Sequence, residues 1–236
     1  MPNERDDMRL GAFDSIQLEM PDADHLASIA AQMQSSLRPV RPFPSRPAVV
    51  ALSFLLFAVF AVAAAMPFGY GGFHRFQAVQ RMLDYGVVAV LALLFSISLD
   101  QQIVPGSKAR MSPSTAILTS LAALCAVTLL LFPQVAMRDF VARGVPCLRL
   151  GLIVSAVGGV VGWVFARKGY ATSPARAGAV LGSFAGLAGV AVLALHCAIQ
   201  NGPHVLLWHL GTYVIAAVTG ALIGLRRRFL RTKTHP

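Results

Sequence analysis

The chain has 236 residues, 56% of them hydrophobic and only 13% charged, a balance that excludes an ordinary soluble globular protein. Its net charge of +10 would suggest nucleic-acid binding in a soluble protein, but here the basic residues sit between and after apolar stretches. That placement makes them topology determinants, and no direct nucleic-acid partner is expected.

The first 47 residues are polar and predict no cleaved leader. Seven of the ten acidic residues fall within the first 24 positions: Glu4, Asp6, Asp7, Asp14, Glu19, Asp22 and Asp24. They precede a periodic stretch in which Leu26, Ile29, Ala30, Met33 and Leu37 recur at helical spacing, predicting an amphipathic helix over 22–37. Its polar face lacks the Lys and Arg that would meet anionic lipid, so a protein groove is the better match for the stripe. The segment "RPVRPFPSRP" then forms an extended, stiff strap, which makes 1–46 a cytoplasmic module.

Six stretches approach the length of about 20 apolar residues that a membrane helix needs. They are 48–66, 82–99, 115–132, 148–166, 178–196 and 205–225, followed by a basic tail over 226–236. The second is the weakest, because Asp84 and Tyr85 lie in its outer end; Asp84 is expected to pair with Arg81 one turn away. With an inside amino terminus, thirteen Lys and Arg flank the spans on the inner side and five on the outer. The positive-inside rule therefore predicts cytoplasmic termini and, overall, an all-α membrane protein with six transmembrane helices, N-in and C-in.

Small residues at i, i+4 let membrane helices approach closely. Gly158 with Gly162, Gly178 with Gly182 and Gly186, and Gly220 with Gly224 predict that the last three spans pack tightly.

Cys147 lies twenty residues before Arg167, and Cys197 twenty after Ala177, on the two arms of an expected hairpin. At 1.5 Å per residue both arms rise about 30 Å, so both thiols reach the same height at the outer membrane edge. A disulfide there is feasible, as is a thiolate site for a soft metal, with His196 and His204 nearby. Cys147, Cys197 and His196 are thus candidate functional residues, and Cys147, Cys197 and His204 candidate metal donors; His196, His204, His209 and Trp208 also fit a polar membrane interface. Cys125, mid-span without polar neighbours, reads as packing.

The stretches "SSLRPVRPFPSRP", "GVPCLRLGLIVSAVGGVVGWVFARKG" and "ALHCAIQNGPHVLLWHLGTYVIAAVTGALIG" resemble the NrsF family of negative regulators of sigma F, six-span inner-membrane anti-sigma factors. The resemblance covers roughly residues 25 to 230. It implies that the cytoplasmic segment sequesters an extracytoplasmic-function (ECF) sigma factor, and that Cys147 and Cys197, with His196 as a further candidate, sense an outside oxidative or metal stress that releases it. The loop Ala198 to Gly202 lacks the acidic residues that the family often carries, which counts against metal binding by that loop.

Two other functions compete. A small transporter or channel would want ionisable residues at mid-span or broken helices, and none of the six stretches has a central charge. A membrane thiol oxidoreductase would want a CxxC pair, which the chain lacks. No cofactor is expected and no enzyme is indicated; "GYGGFHRF" has no GK[ST] and is not a phosphate loop.

Overall fold

The computed structural model describes residues 22–36, 44–103, 111–135, 139–167, 173–199 and 201–233, with side chains as far as Arg226. The chain divides into two units, Met1–Phe43 and Pro44–Pro236.

In the first unit, helix α1 (Ala23–Ser36) opens on the carbonyl of Asp22, which accepts from the Leu26 amide at 3.0 Å. None of its residues is buried, and Leu26, Ile29 and Met33 are exposed. Leu37, the acidic residues from Glu4 to Glu19 and most of the proline strap lie outside the described residues.

The second unit is a bundle of helices, and no strand occurs among the described residues. Helix α2 (Arg46–Ala65) carries Pro47 in its first turn, where the missing N–H has no helical partner to lose. A 3-10 turn (Met66–Phe68) and a short helix α3 (Gly71–Arg75) lead into α4 (Ala78–Ile103). Helix α5 (Pro113–Leu131) is capped by Ser112, whose Oγ accepts from the Thr115 amide at 3.0 Å. Helices α6 (Phe140–Ala166) and α7 (Pro174–His196) follow. The last span begins with one turn, α8 (Gly202–His204), continues through a π-helical turn (Val205–His209), and ends in α9 (Leu210–Lys233).

Six of these segments are long and apolar enough to cross a membrane, so the chain is an all-α, six-span membrane protein. Helix ends run past the apolar runs where polar residues can still satisfy the backbone ladder. Thus α4 covers 78–103 where the apolar stretch is 82–99, and α6 starts at Phe140 where the stretch starts at 148. Arg143 pairs with Asp139 at 3.5 Å in the added turn of α6. The pairing expected between Arg81 and Asp84 does not form; the Arg81 guanidinium lies 4.9 Å from the Phe73 ring centroid instead.

Helix α7 is the axis of the bundle. Its membrane span is 72% buried inside the protein, whereas the other five range from 17% to 39%. Only a helix of small residues can be surrounded this closely. A methyl on Gly178 would overlap the Gly220 carbonyl of α9, and one on Gly182 would overlap that of Ala216. Gly186 faces the Tyr213 backbone, and Gly224 faces that of Pro174. Gly158 and Gly162 of α6 meet side chains instead, the Phe60 ring and Leu181.

Five buried hydroxyls are satisfied locally, as hydrocarbon favours, while the buried Ser183 Oγ has no hydrogen-bond partner among the described residues. Ser53, Ser96, Ser120, Thr128 and Ser155 each donate to the carbonyl one turn back. Tyr213, fully buried, donates across the bundle to the Ile117 carbonyl of α5 at 3.3 Å. Cys125 is half-buried against the apolar core.

Candidate thiol and metal centre

One end of the bundle gathers two thiols and two imidazoles. Cys147 is in the second turn of α6, beside Pro146 and three residues after Gly144. Gly144 is required there, because a methyl would run into the Trp208 indole. Cys197 follows α7 immediately, its amide donating to the Leu193 carbonyl at 2.7 Å while its own backbone turns extended and ends the helix.

The chain then doubles back. Asn201 caps the next helix, its Oδ1 accepting from the His204 amide at 2.8 Å. The Gly202 amide donates to the Gln134 carbonyl at 3.1 Å, which ties this turn to the segment after α5. His204 and His209 are buried inside the protein. In a regular α-helix, residues five apart point about 140° from one another. Here the span passes through a π turn, in which the Leu210 amide donates to the Val205 carbonyl five residues back. The extra residue is absorbed, and the two imidazoles come together with ring centroids 5.4 Å apart in an edge-to-face arrangement.

The four groups converge. The Cys147 thiol donates to Cys197 Sγ at 3.7 Å, and Cys197 Sγ lies 3.5 Å from His204 Nε2. The two sulfurs and one ring nitrogen from each of His204 and His209 all fall within 4.8 Å of one another. All three cysteines are free thiols. The Cys197 thiol is held well below its ordinary pKa, chiefly by the hydrogen bond from Cys147. Burial opposes that effect, and the imidazoles of His204 and His209 add to it.

Of the residues singled out in the sequence, Cys147, Cys197 and His204 are brought together, and His196 is not. The His196 ring lies edge-on to Phe68 at 5.9 Å. His209 is the residue that sequence reasoning missed as a site member. The signal that could have found it was the π turn, which has no simple sequence signature. Trp208 packs between Phe140, 5.4 Å away between ring centroids, and Gly144, one turn before Cys147.

These features define a multi-pass helical membrane protein with a half-buried and a buried thiol beside two buried imidazoles at one end of its bundle. The family model of NrsF, "negative regulator of sigma F", matches residues 33–231, and the chain belongs to that family. It is therefore an anti-sigma regulator whose partner is a sigma factor. No curated protein and no solved structure matches the chain significantly.

Proposed function

We propose that this chain holds an ECF-type sigma factor at the bacterial inner membrane through α1, with both termini cytoplasmic. It releases the factor when the Cys147–Cys197 pair changes state on the periplasmic side. The observation that carries the sensing half is the 3.7 Å contact between the two thiols, one of them held toward the thiolate. The binding half is supported by the exposed row of Leu26, Ile29 and Met33 in a chain whose family regulates a sigma factor.

Oxidation gives the switch its energy. A hydroperoxide would accept two electrons and two protons from the thiols, yielding an alcohol, water and one S–S bond. The sulfurs would close from 3.7 Å to the bond length of about 2.05 Å. That movement pulls α6 against the end of α7. Shifting a two-state equilibrium from 1:99 to 99:1 takes about 5.5 kcal/mol of differential stabilisation, so the S–S bond has to fit the releasing state of the bundle better than the holding state by that amount.

The test uses the full-length chain co-expressed with its cognate sigma factor. Sigma factor should co-purify with the membrane protein, and L26D/I29D/M33D should abolish capture. Cys147→Ala and Cys197→Ala should each change sigma-dependent transcription under peroxide. Capture that survives the triple substitution would remove the role of α1, and unchanged induction in both cysteine variants would remove the sensor role.

A further inference from the structure

The geometry points to a metal site of four protein ligands, Cys147, Cys197, His204 and His209, that takes a tetrahedral divalent cation of the zinc type. With Zn–S near 2.3 Å and Zn–N near 2.05 Å, a regular tetrahedron has S···S edges of about 3.8 Å and S···N edges of about 3.5 Å. The separations here are 3.7 Å between the sulfurs and 3.5 Å between Cys197 Sγ and His204 Nε2. Two edges of the tetrahedron therefore already have their bonded lengths, and every other donor pair lies within 4.8 Å.

A second observation points the same way. Nε2 of His209 is buried with no hydrogen-bond partner, a costly condition for a ring nitrogen held away from water. The backbone that carries the ligands is fixed by its own contacts: Asn201 Oδ1 accepts from the His204 amide, and Gly144, three residues before Cys147, admits the Trp208 indole next to His209. Such supporting contacts hold ligands in one orientation.

Charge selects the cation. On binding, both sulfurs are thiolates, and any proton they carry passes to solvent; both histidines bind as neutral imidazole. Two negative ligands and a divalent ion sum to zero, so the loaded site adds no net charge to a buried position at the membrane edge. A monovalent cation would leave one negative charge there. Hard cations such as Mg2+ and Ca2+ prefer oxygen ligands in larger shells, and the four donors here are sulfur and nitrogen.

The inference rests on the sensing role proposed for the two thiols only for its consequence, which is that metal occupancy holds the thiols apart from oxidation. Binding itself is tested without any sigma factor. Untagged full-length protein in detergent, stripped of metal, is titrated with Zn2+ and separately with Co2+. One Zn2+ per chain is expected, and Co2+ should give tetrahedral visible bands with sulfur-to-cobalt charge transfer. Loss of a supporting contact to a ligand costs about 10–100-fold in affinity, so His204→Ala and His209→Ala should each weaken Zn2+ binding by at least about 100-fold. Cys147→Ala should diminish the charge-transfer band.

If His204→Ala fails to elute as a single species, His209→Gln carries the imidazole test. No stoichiometric Zn2+, an octahedral Co2+ spectrum, or unchanged affinity in the His209 variants would overturn the site. If metal binding fails while Cys147→Ala still alters sigma release, the metal site falls and the thiol reading stands; stoichiometric binding without any effect on release supports the site and removes the sensing role.

Discussion

Nε2 of His204 lies 3.5 Å from Sγ of Cys197, seven residues earlier in the chain. The contact joins the first turn of the last span to the end of the central helix. Because the Cys147 thiol meets the same sulfur from α6, three spans share one atom.

That sharing predicts an unusual titration. The folded pKa of Cys197 is depressed, so its thiolate contributes stability that is fully present above the unfolded value of about 8.5 and is lost as pH falls through the folded value. The stability difference between the parent chain and Cys197→Ser should therefore shrink steadily as pH is lowered from about 9. Ultraviolet thiolate absorption should follow Cys197 directly, and Cys147→Ala should move that titration upward, because the Cys147 hydrogen bond is the largest cause of the depression. A Cys197 thiolate signal unchanged in Cys147→Ala would contradict the contact.

The seam between α7 and α9 predicts a sharp difference among glycines. A side chain on Gly182 would overlap the Ala216 carbonyl, and backbone cannot step aside as a side-chain tip can. Gly182→Val should cost about 1–3 kcal/mol or more in denaturant unfolding from detergent. Gly86, where an added methyl would meet nothing within 4 Å, should tolerate valine within about 0.5 kcal/mol. Equal losses at both positions would show that the seam is not where the packing is decided.

Gly144→Ala should act on the site through Trp208. The added methyl meets the indole, which must move and carries the π turn between His204 and His209 with it. In a Trp163→Phe background the Trp208 emission should shift, and the Cys197 titration should shift in the same variant. An altered emission with an unaltered thiol would separate Trp208 from the thiol centre.

The π turn makes a prediction of its own. It accommodates one residue more than an α-helix needs to bring His204 and His209 to the same face. Deleting Leu207, whose side chain is exposed, should leave a regular helix with the two histidines one turn apart and the Cys197 titration kept. Inserting an alanine after Leu207 should rotate them apart by about 100° and raise the Cys197 pKa. If the deletion disrupts the centre and the insertion spares it, the π turn is not what aligns the imidazoles.

Much of this architecture was legible in the chain itself, because a bilayer imposes a one-dimensional rule. A helix that must satisfy its own backbone across the hydrocarbon needs an uninterrupted apolar run, and such runs can be counted along the sequence. The six spans came from that level, and the family likeness from the short stretches around the proline strap, Cys147 and Cys197. Equal chain length on two arms of a hairpin also brought Cys147 and Cys197 to one height, since rise per residue is constant in a helix.

Lateral relationships were decided only by the tertiary structure. Rotation of each helix about its axis determines which side chains meet, and that depends on where neighbouring backbones can touch. Gly178 and Gly182 make α7 the buried axis because the carbonyls of Gly220 and Ala216 come to rest on them. His196 and His204 both looked available to the thiols, yet the turn after α7 sends one ring to Phe68 and the other to Cys197. His209 entered the centre through a backbone irregularity whose register a periodicity of 3.6 residues cannot express.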